Sequence, residues 1–523
     1  MVETNDRILP VGIQSFEKIR KEGYFYVDKT DIIWQLANRN KTYNYLSRPR
    51  RFGKSVLVDT LEAYFMGKKE LFEGLKIMQM ETEWVKRPVI RLDMSRAGAE
   101  PGTLRSYLDN AFRQYEKEYS LVPDPTDSLA DRFDAIIQTA YNKTGLQVAI
   151  LIDEYDSPLQ HSWKTPQHEA CTAIYREVFA VLKSQDKYEK FVFITGITKF
   201  TQISLFSVLN NLSNISFEPE YAAICGITKE ELLRDFKPEI NKLAEYEGWT
   251  FDEAVAQLTA YYDGYHFCEE SEDIYNPFSL IKSLNEKRFG SYWFDTGTPT
   301  YLIERLRKNP IDETTLDNIP LVPQSDFDVS PEISENSLPM LYQTGYLTIK
   351  SYDERMQLYT LGYPNKEVRS GFLDSLLAGY NGNNPSGASF VIRFNAALRK
   401  GDIDEALSRM QSFLAGMPND LENKTEKHYQ TIIYLIFSLL GYHIRTEEKS
   451  AVGRADAVCW TQDSIYVFEF KVDSTAETAL KQIDDKGYMI PYRFEDGKRL
   501  VKIGVNISTM TRTIDGWVVD FCS

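Results

Sequence analysis

The chain has 523 residues, 43% of them hydrophobic and 26% charged. At roughly 150 residues per domain that length suggests about three or four domains, long enough to bury cores without disulfides or structural metals. Sixty Lys and Arg against 76 Asp and Glu give a net charge of −16, which excludes coating nucleic acid by bulk charge but leaves room for a local basic channel.

The start, MVETNDRILPVGIQSF, carries acids and lacks a long apolar core, so it does not read as a signal peptide. Apolar runs then alternate with helical patterns. Strands are expected at Thr42–Leu46, Val89–Asp93, Val148–Asp153 and Phe191–Thr195, with helices at Lys54–Met66, Thr103–Glu118 and Gln167–Ser184 between them. That alternation predicts an α/β domain with a largely parallel sheet. From Lys229 to Leu306 the pattern is mainly helical, and Asp317–Glu335 reads as a loop. Leu338–Ile349 followed by Gln357–Leu361 predicts a helix leading into a β-hairpin, a winged-helix-like arrangement. Gly379–Ser389 (GYNGNNPSGAS) reads as a linker. The longest apolar stretch, Thr431–Tyr442, is too short to span a bilayer and predicts a buried core helix. It opens a second α/β segment running to the end. The expected boundaries are therefore 1–228, 229–378, 379–420 and 421–523.

Five cysteines (Cys171, Cys225, Cys268, Cys459, Cys522) form no CxxC pair and are odd in number. A disulfide framework or zinc site is not expected, and a reducing cytoplasm fits. The five histidines show no HExxH or similar ligand spacing.

Two clusters carry chemistry. The first is Ser47–Val56, SRPRRFGKSV, placed between an expected strand and an expected helix. A phosphate loop needs that context, because N–H groups and the dipole at a helix start attract phosphate oxygens. Gly53 and the loop backbone then cradle the phosphates, Lys54 reaches the β- and γ-phosphates, and Ser55 holds Mg²⁺. The full GxxxxGK[ST] pattern would start at position 48, which is Arg48 here. A bare GK[ST] arises by chance in roughly one chain in four of this length, so the tripeptide alone equally describes a basic helix cap. VAILIDEYD, about a hundred residues on, changes that balance. Its apolar run fits a buried parallel strand, whose C-terminal end is where open α/β sheets bind ligands. Asp153 would then hold Mg²⁺ and Glu154 would polarise the attacking water; the bland alternative is a core strand ending in two solvated acids. Thr195 or Thr198, at the end of the neighbouring strand, is placed to sense the γ-phosphate. Arg48, Arg50 and Arg51 either neutralise phosphate charge, face nucleic acid or pair with acids.

The second cluster combines GRADAV (453–458) with IYVFEFKV (465–472). Alternate strand residues share a face, so Glu469 and Lys471 point the same way. A hairpin around Thr461–Asp463 would bring Asp456 beside Glu469. Two carboxylates and a lysine suit Mg²⁺ or Mn²⁺ acting on a phosphodiester; an edge hairpin with a charged wet face is the plainer alternative. Glu426, on a helix, would add a carboxylate, and Gln482, Lys486 and Tyr488 would overlie the site from ALKQIDDKGY.

These stretches resemble known families. Arg7–Gly226, through GIQSFEKIRKEGYFYVDKT, YLSRPRRFGKSVL, LIDEYDSPL and FITGITKFTQISLFS, resembles the AAA-ATPase-like domain of many bacterial proteins. Asn423–Phe494, through EKHYQTIIYLIFSLLGY, GRADAV, YVFEFKVD and ALKQIDDKGY, resembles the PD-(D/E)XK nuclease domain that often follows it. YDGYHF, YQTGYLTI and LGYPNKEVR between them look like the same family. The resemblance implies a P-loop NTPase sheet, a helical, winged-helix-like middle and a restriction-endonuclease-like α/β end. It implies an ATP site using Arg51, Gly53, Lys54, Ser55, Asp153 and Thr195, with Glu154 for hydrolysis. It implies a Mg²⁺- or Mn²⁺-dependent nuclease site of Glu426, Asp456, Glu469, Lys471 and Gln482, acting on DNA more than RNA. AAA relatives often form rings, so it also allows a homo-oligomer; the alternative to an enzyme is a nucleotide-controlled switch or binding protein.

Overall fold

The computed structural model describes residues 7–199, 212–294, 316–332, 334, 336–380, 386–417, 426–439, 448–449, 454–495 and 497–522. The chain divides into two compact units, Met1–Gly297 with Leu316–Val368, and Thr298–Thr315 with Arg369–Ser523.

The first unit is built on strands β1 (Tyr43–Ser47), β2 (Val89–Asp93), β3 (Val148–Asp153), β4 (Glu189–Gly196) and β5 (Ser213–Asn214). They form one sheet in the order β2-β3-β4-β1-β5. Every pairing in it is parallel. The sheet follows from sequence: β3 is VAILID, apolar but for its last residue and buried throughout, as a strand covered on both faces must be. Ile150, Ile152, Val192 and Ile194 share a core with Leu104, Leu108, Phe133 and Ile136 of the helices Pro101–Glu118 and Leu129–Thr144. Parallel register aligns the C-terminal ends: Asp93 pairs with Asp153, Leu46 with Thr195, and Ser47 with Gly196. All four expected strands are present within two residues, and the parallel α/β architecture stands.

The helical region follows, with helices Lys229–Asp235, Lys237–Glu247, Phe251–Tyr262 and Pro277–Glu286. Thr228 and Thr250 start the first and third through reciprocal capping boxes with Glu231 and Glu253. The rest of the expected helical stretch, 295–306, lies outside the described residues. Strands β6 (Ile227–Thr228) and β7 (Ile274–Tyr275) pair antiparallel within this region.

Three more strands, β8 (Ile319–Val322), β9 (Thr348–Asp353) and β10 (Leu358–Gly362), make an antiparallel sheet in the order β8-β10-β9. The helix Leu338–Gln343 leads into β9, as the helix-then-hairpin pattern predicts. Asp317–Glu335 departs from expectation, because it contributes β8 and the short helix Gln324–Phe327. β8 is paired on one side only and buries just Val322 of IPLV, so it lacks the alternation by which strands are read.

In the second unit, helices Ser386–Lys400, Ile403–Ala415 and Glu426–Leu439 precede the sheet. Strands β11 (Glu448–Lys449) and β12 (Arg454–Ala455) pair with each other. A four-stranded mixed sheet runs β13 (Ala457–Trp460), β14 (Ser464–Val472), β15 (Arg499–Ser508) and β16 (Thr513–Phe521). The β13–β14 hairpin turns at 461–463, as expected, whereas β14 and β15 pair parallel. The crossover between them carries the helix Ala476–Asp485, whose Ile483 packs with Val458, Ile465 and Val467. The expected linker is helical at both ends, where Gly379 and Tyr380 close the helix Lys366–Tyr380 and Ser386–Ser389 open the helix Ser386–Lys400; its residues 381–385, and 440–442 of the expected apolar helix, lie outside the described residues.

Candidate active sites

The loop after β1 ends in Gly53, the N-cap of the helix Lys54–Phe65, at φ 95° in the left-handed region where glycine alone is unstrained. The Lys54 side chain is buried, and its ammonium donates to the carbonyls of Arg48 and Pro49 at 2.9 and 3.0 Å. Burial lowers its pKa, while Glu154, Asp153 and Asp156 pull it back up. At the end of β3, Asp153 accepts a hydrogen bond from the Thr195 hydroxyl at 2.6 Å. The same hydroxyl oxygen accepts from the Glu154 N–H at 3.2 Å. Glu154 sits at φ 48°, and burial raises its pKa against the pull of Lys54. β1, β3 and β4 thus deliver Lys54, Asp153, Glu154 and Thr195 to one edge of the sheet.

Lys54, Asp153 and Glu154 face a cavity of about 490 Å³. Arg50–Leu57, Asp93, Asp153 and Glu154 form part of its wall; Val11, Ile13, Phe25, Ile227, Phe278 and Ile281 give it an apolar part. That lining matches a ligand with a flat apolar portion and an anionic chain. Ser55 also lines the cavity, and the Arg51 guanidinium lies 5.0 Å from the Phe278 ring centre. Asp93 was missed by sequence reasoning. VIRLD ends in an acid as VAILID does, and the parallel register sets the two acids side by side. Asp156 was also missed. Buried, it accepts from the N–H groups of Ile197 and Thr198 at 3.0 and 2.6 Å.

Arg48 stands where the first glycine of the common phosphate-loop pattern would be, and the structure resolves its role. Its buried guanidinium donates to the carbonyls of Ser47, Ser216, Tyr221 and Ala222 and lies 3.9 Å from the Phe267 ring centre. It braces the loop from behind. Burial pushes its pKa down to about 10.

The second cluster forms on the β13–β14 hairpin. Ala457 pairs with Phe468, so Asp456 comes opposite Glu469 one residue beyond the ladder. Asp456 accepts from the Phe470 N–H at 2.8 Å. Glu469 is 2% exposed; its Oε1 accepts from the Lys471 ammonium at 3.2 Å and from the Gln482 amide. Gln482 also donates to the Tyr488 hydroxyl at 3.3 Å. The other Glu469 oxygen, Oε2, is buried without a hydrogen-bond partner among the described residues. Burial, followed by the Asp456 charge, pushes the Glu469 pKa up to about 8, with Lys471 opposing. Carboxylate oxygens are the donors that hard divalent cations take. Glu426 begins the helix Glu426–Leu439, which packs against β13 and β14, but its side chain lies outside the described residues. Among the described residues no three His, Cys, Asp or Glu converge as a complete metal cage.

Two family matches divide the chain as these sites do. Residues 10–206 match the AAA-ATPase-like family ("Predicted AAA-ATPase"), and residues 424–517 match the PD-(D/E)XK nuclease superfamily. An uncharacterized protein in the vnfD 5′ region of Azotobacter chroococcum mcd 1 is 33% identical over 528 residues, covering 98% of each chain. The chain belongs to its family: an N-terminal AAA-ATPase-like domain and a C-terminal PD-(D/E)XK nuclease-superfamily domain. Among solved structures, the Cdc6p protein of Pyrobaculum aerophilum is similar at 12% identity over 65% of this chain and 89% of that one, with a TM-score of 0.23. The ORC2 protein of Aeropyrum pernix is similar at 13% identity over 69% and 92%, with a TM-score of 0.24. Likenesses of that size carry no argument.

The AAA-ATPase-like domain therefore holds the Lys54–Asp153–Glu154–Thr195 group, and the nuclease-superfamily domain holds Asp456, Glu469, Lys471 and Gln482. Among the described residues, no helix of either domain is long and apolar enough to cross a membrane.

Proposed function

We propose that the chain binds and hydrolyses Mg-ATP and couples that cycle to a metal-dependent phosphodiesterase that cuts nucleic acid, DNA in preference to RNA. The single observation that carries the nuclease reading is the buried Glu469 Oε2 beside Asp456, without a hydrogen-bond partner among the described residues. Leaving a carboxylate oxygen dry and unpaired costs free energy that a cation ligand recovers.

Bound divalent ions, Mg²⁺ at both sites or Mn²⁺ at the second, supply positive charge against phosphate oxygens and make a water acidic enough to attack. The chain's own residues do the rest. Gly53 and the loop N–H groups bind phosphates, Lys54 and Arg51 neutralise them, and Ser55 and Asp153 hold the metal. Thr195 orients Asp153, and Glu154 takes the proton of the water that cleaves the terminal P–O bond. In the second site Asp456 and Glu469 hold the metal, with Glu426 as a further carboxylate. Lys471 stabilises the phosphate as its P–O bond breaks, and Gln482 fixes the Glu469 rotamer. In fold terms we assign a P-loop NTPase, a winged-helix-like module at β8–β10, and a restriction-endonuclease-like end. The functional segments are then 1–228, 229–378, 379–420 and 421–523. Five free cysteines fit the cytoplasm.

The test is cleavage of plasmid and linear DNA and of RNA, with and without ATP and Mg²⁺ or Mn²⁺. Lys471→Ala should abolish cleavage, and undiminished cutting by that variant overturns the assignment. Lys54→Ala should lose nucleotide, whereas Glu154→Gln should keep it and stop phosphate release. Tight nucleotide retention by wild type with no phosphate release would favour a switch over an ATPase.

A further inference from the structure

The end of β4 is fastened at two places. Thr195 is bonded to Asp153 and Glu154 in the cavity wall. Four residues on, the Lys199 N–H donates to Gln343 Oε1 at 2.8 Å, and its ammonium meets the Asp328 carboxylate at 3.1 Å. Between them, Asp156 holds the N–H groups of Ile197 and Thr198, so the segment is stiff. Gln343 is buried at the end of the helix leading into β9, and its amide donates to the carbonyls of Phe327 and Val329 at 3.1 and 2.7 Å. A continuous line of bonds therefore joins the acids of the phosphate cavity to the β8–β10 module.

The back of the phosphate loop touches the same part of the unit. A Cβ on Gly345, just before β9, would stand 2.6 Å from the Pro49 ring. Phe52 meets Tyr265 and Phe267 edge-on at 5.0 and 5.4 Å between ring centres. The His266 N–H between those rings donates to the Thr348 hydroxyl at the start of β9. The carbonyls that hold Lys54 belong to Arg48 and Pro49, the residues that press on Phe267 and Gly345.

A ligand can shift a conformation only through contacts that differ between two states. Here both attachments change when a nucleotide enters. Lys54 then divides its three donors between the Arg48 and Pro49 carbonyls and phosphate, and Asp153 divides its oxygens between Thr195 and a cation. We propose that the β8–β10 module reads the nucleotide state of the cavity through the Lys199–Asp328–Gln343 junction. Lys199 and Gln343 are positioning residues: they line neither carboxylate cluster and act through Thr195. The inference rests on the nucleotide reading of the cavity.

The experiment is amide hydrogen exchange on the full chain, with and without Mg²⁺ and a non-hydrolysable ATP analogue, alongside measured analogue affinity. In wild type, saturation should change exchange across residues 348–362 about fivefold or more, the lower end of ordinary coupling. Gln343→Ala and Lys199→Ala should bind the analogue within about threefold of wild type yet lose most of that response. Should either fail to fold, Asp328→Asn weakens the junction from the other side, and the exchanged pair Lys199→Asp with Asp328→Lys should restore coupling. An unchanged module in analogue-saturated wild type, or a full response in the folded variants, overturns the proposal. A wild-type chain that binds no nucleotide sinks the nucleotide reading and this inference with it, which the affinity measurement distinguishes from a failure of coupling alone.

Discussion

The two sites solve the problem of buried charge in opposite ways. In the AAA-ATPase-like domain the buried groups at the sheet end have partners within the protein: Lys54 two carbonyls, Asp153 the Thr195 hydroxyl, and Asp156 backbone N–H groups. In the nuclease-superfamily domain one oxygen of Glu469 is buried with no hydrogen-bond partner among the described residues. A nucleotide at the first site, as proposed, would compete with partners already in place, which ties its binding to rearrangement. The second is preorganised around a missing positive charge, so binding there relieves a standing cost without rearrangement. The contrast separates a site built to switch from one built to hold.

The largest effect that probes this difference is removal of the unsatisfied acid. Glu469→Ala should abolish cleavage by about a thousandfold or more while leaving ATP turnover near wild type, measured by plasmid nicking and phosphate release. If ATP turnover falls equally, the sites are not separable in this way. The next effect acts without touching a site residue. Gly504 lies on β15 directly beside Glu469, and a Cβ there would meet the Ala476 carbonyl and stand 2.6 Å from the Leu480 nitrogen. Those are backbone atoms of the helix that carries Gln482, and they cannot step aside singly. Gly504→Val should lift that helix, free the Glu469 carboxylate from Gln482 and cut cleavage about ten- to a hundredfold. Thermal unfolding of the variant should drop too, by about 1–3 kcal/mol. Normal cleavage in Gly504→Val would mean that the Gln482 contact does not matter.

Much of this was legible in the sequence, and the legible parts share a cause. VAILID and IYVFEFKV announce themselves because a near-continuous apolar run, the mark of a strand covered on both faces, is written within a few residues. The Asp456–Glu469 approach was legible from the hairpin, and the register that produces it sets Trp460 opposite Ile465, so that Asp456 falls opposite Glu469. What stayed hidden depends on distant pairings. Arg48 stayed undecided between phosphate, nucleic acid and acidic partners because its real partners, at 216–222 and 267, are far along the chain. Asp93 gains meaning only from parallel register with Asp153, sixty residues later. Gly504 does so only from register with Glu469. The apolar cavity wall is drawn from three separated segments, none patterned by itself.

A third effect is graded with pH. A metal needs the ionised Glu469 carboxylate, and burial sets its pKa near 8. Below that value each metal bound must displace a proton, so apparent metal affinity should rise up to about tenfold per pH unit from 6 to 8 and then level off. Titrating Mn²⁺ binding across that range checks it. A flat profile would show that Glu469 is already ionised and that its oxygen has a partner in solution.

The smallest effect concerns stability without ligands, and it pits the unsatisfied carboxylate against the satisfied one. Glu469 has a folded pKa near 8 against an ordinary value of 4.5. Its contribution to stability is therefore full below about pH 4.5 and is lost as pH rises through about 8, because the unfolded chain ionises freely and the folded one does not. Glu469→Gln removes that penalty, so the metal-free variant should gain on wild type as pH rises, by at most about 1.4 kcal/mol per unit across this window. Thr195→Val does the reverse at the other site: it strips Asp153 of its donor and leaves a buried acceptor dry. That variant should lose about 1–3 kcal/mol. Urea unfolding of the metal- and nucleotide-free chain at several pH values measures both. If Glu469→Gln destabilises at pH 8, the carboxylate is not the strained group that its burial and empty oxygen make it.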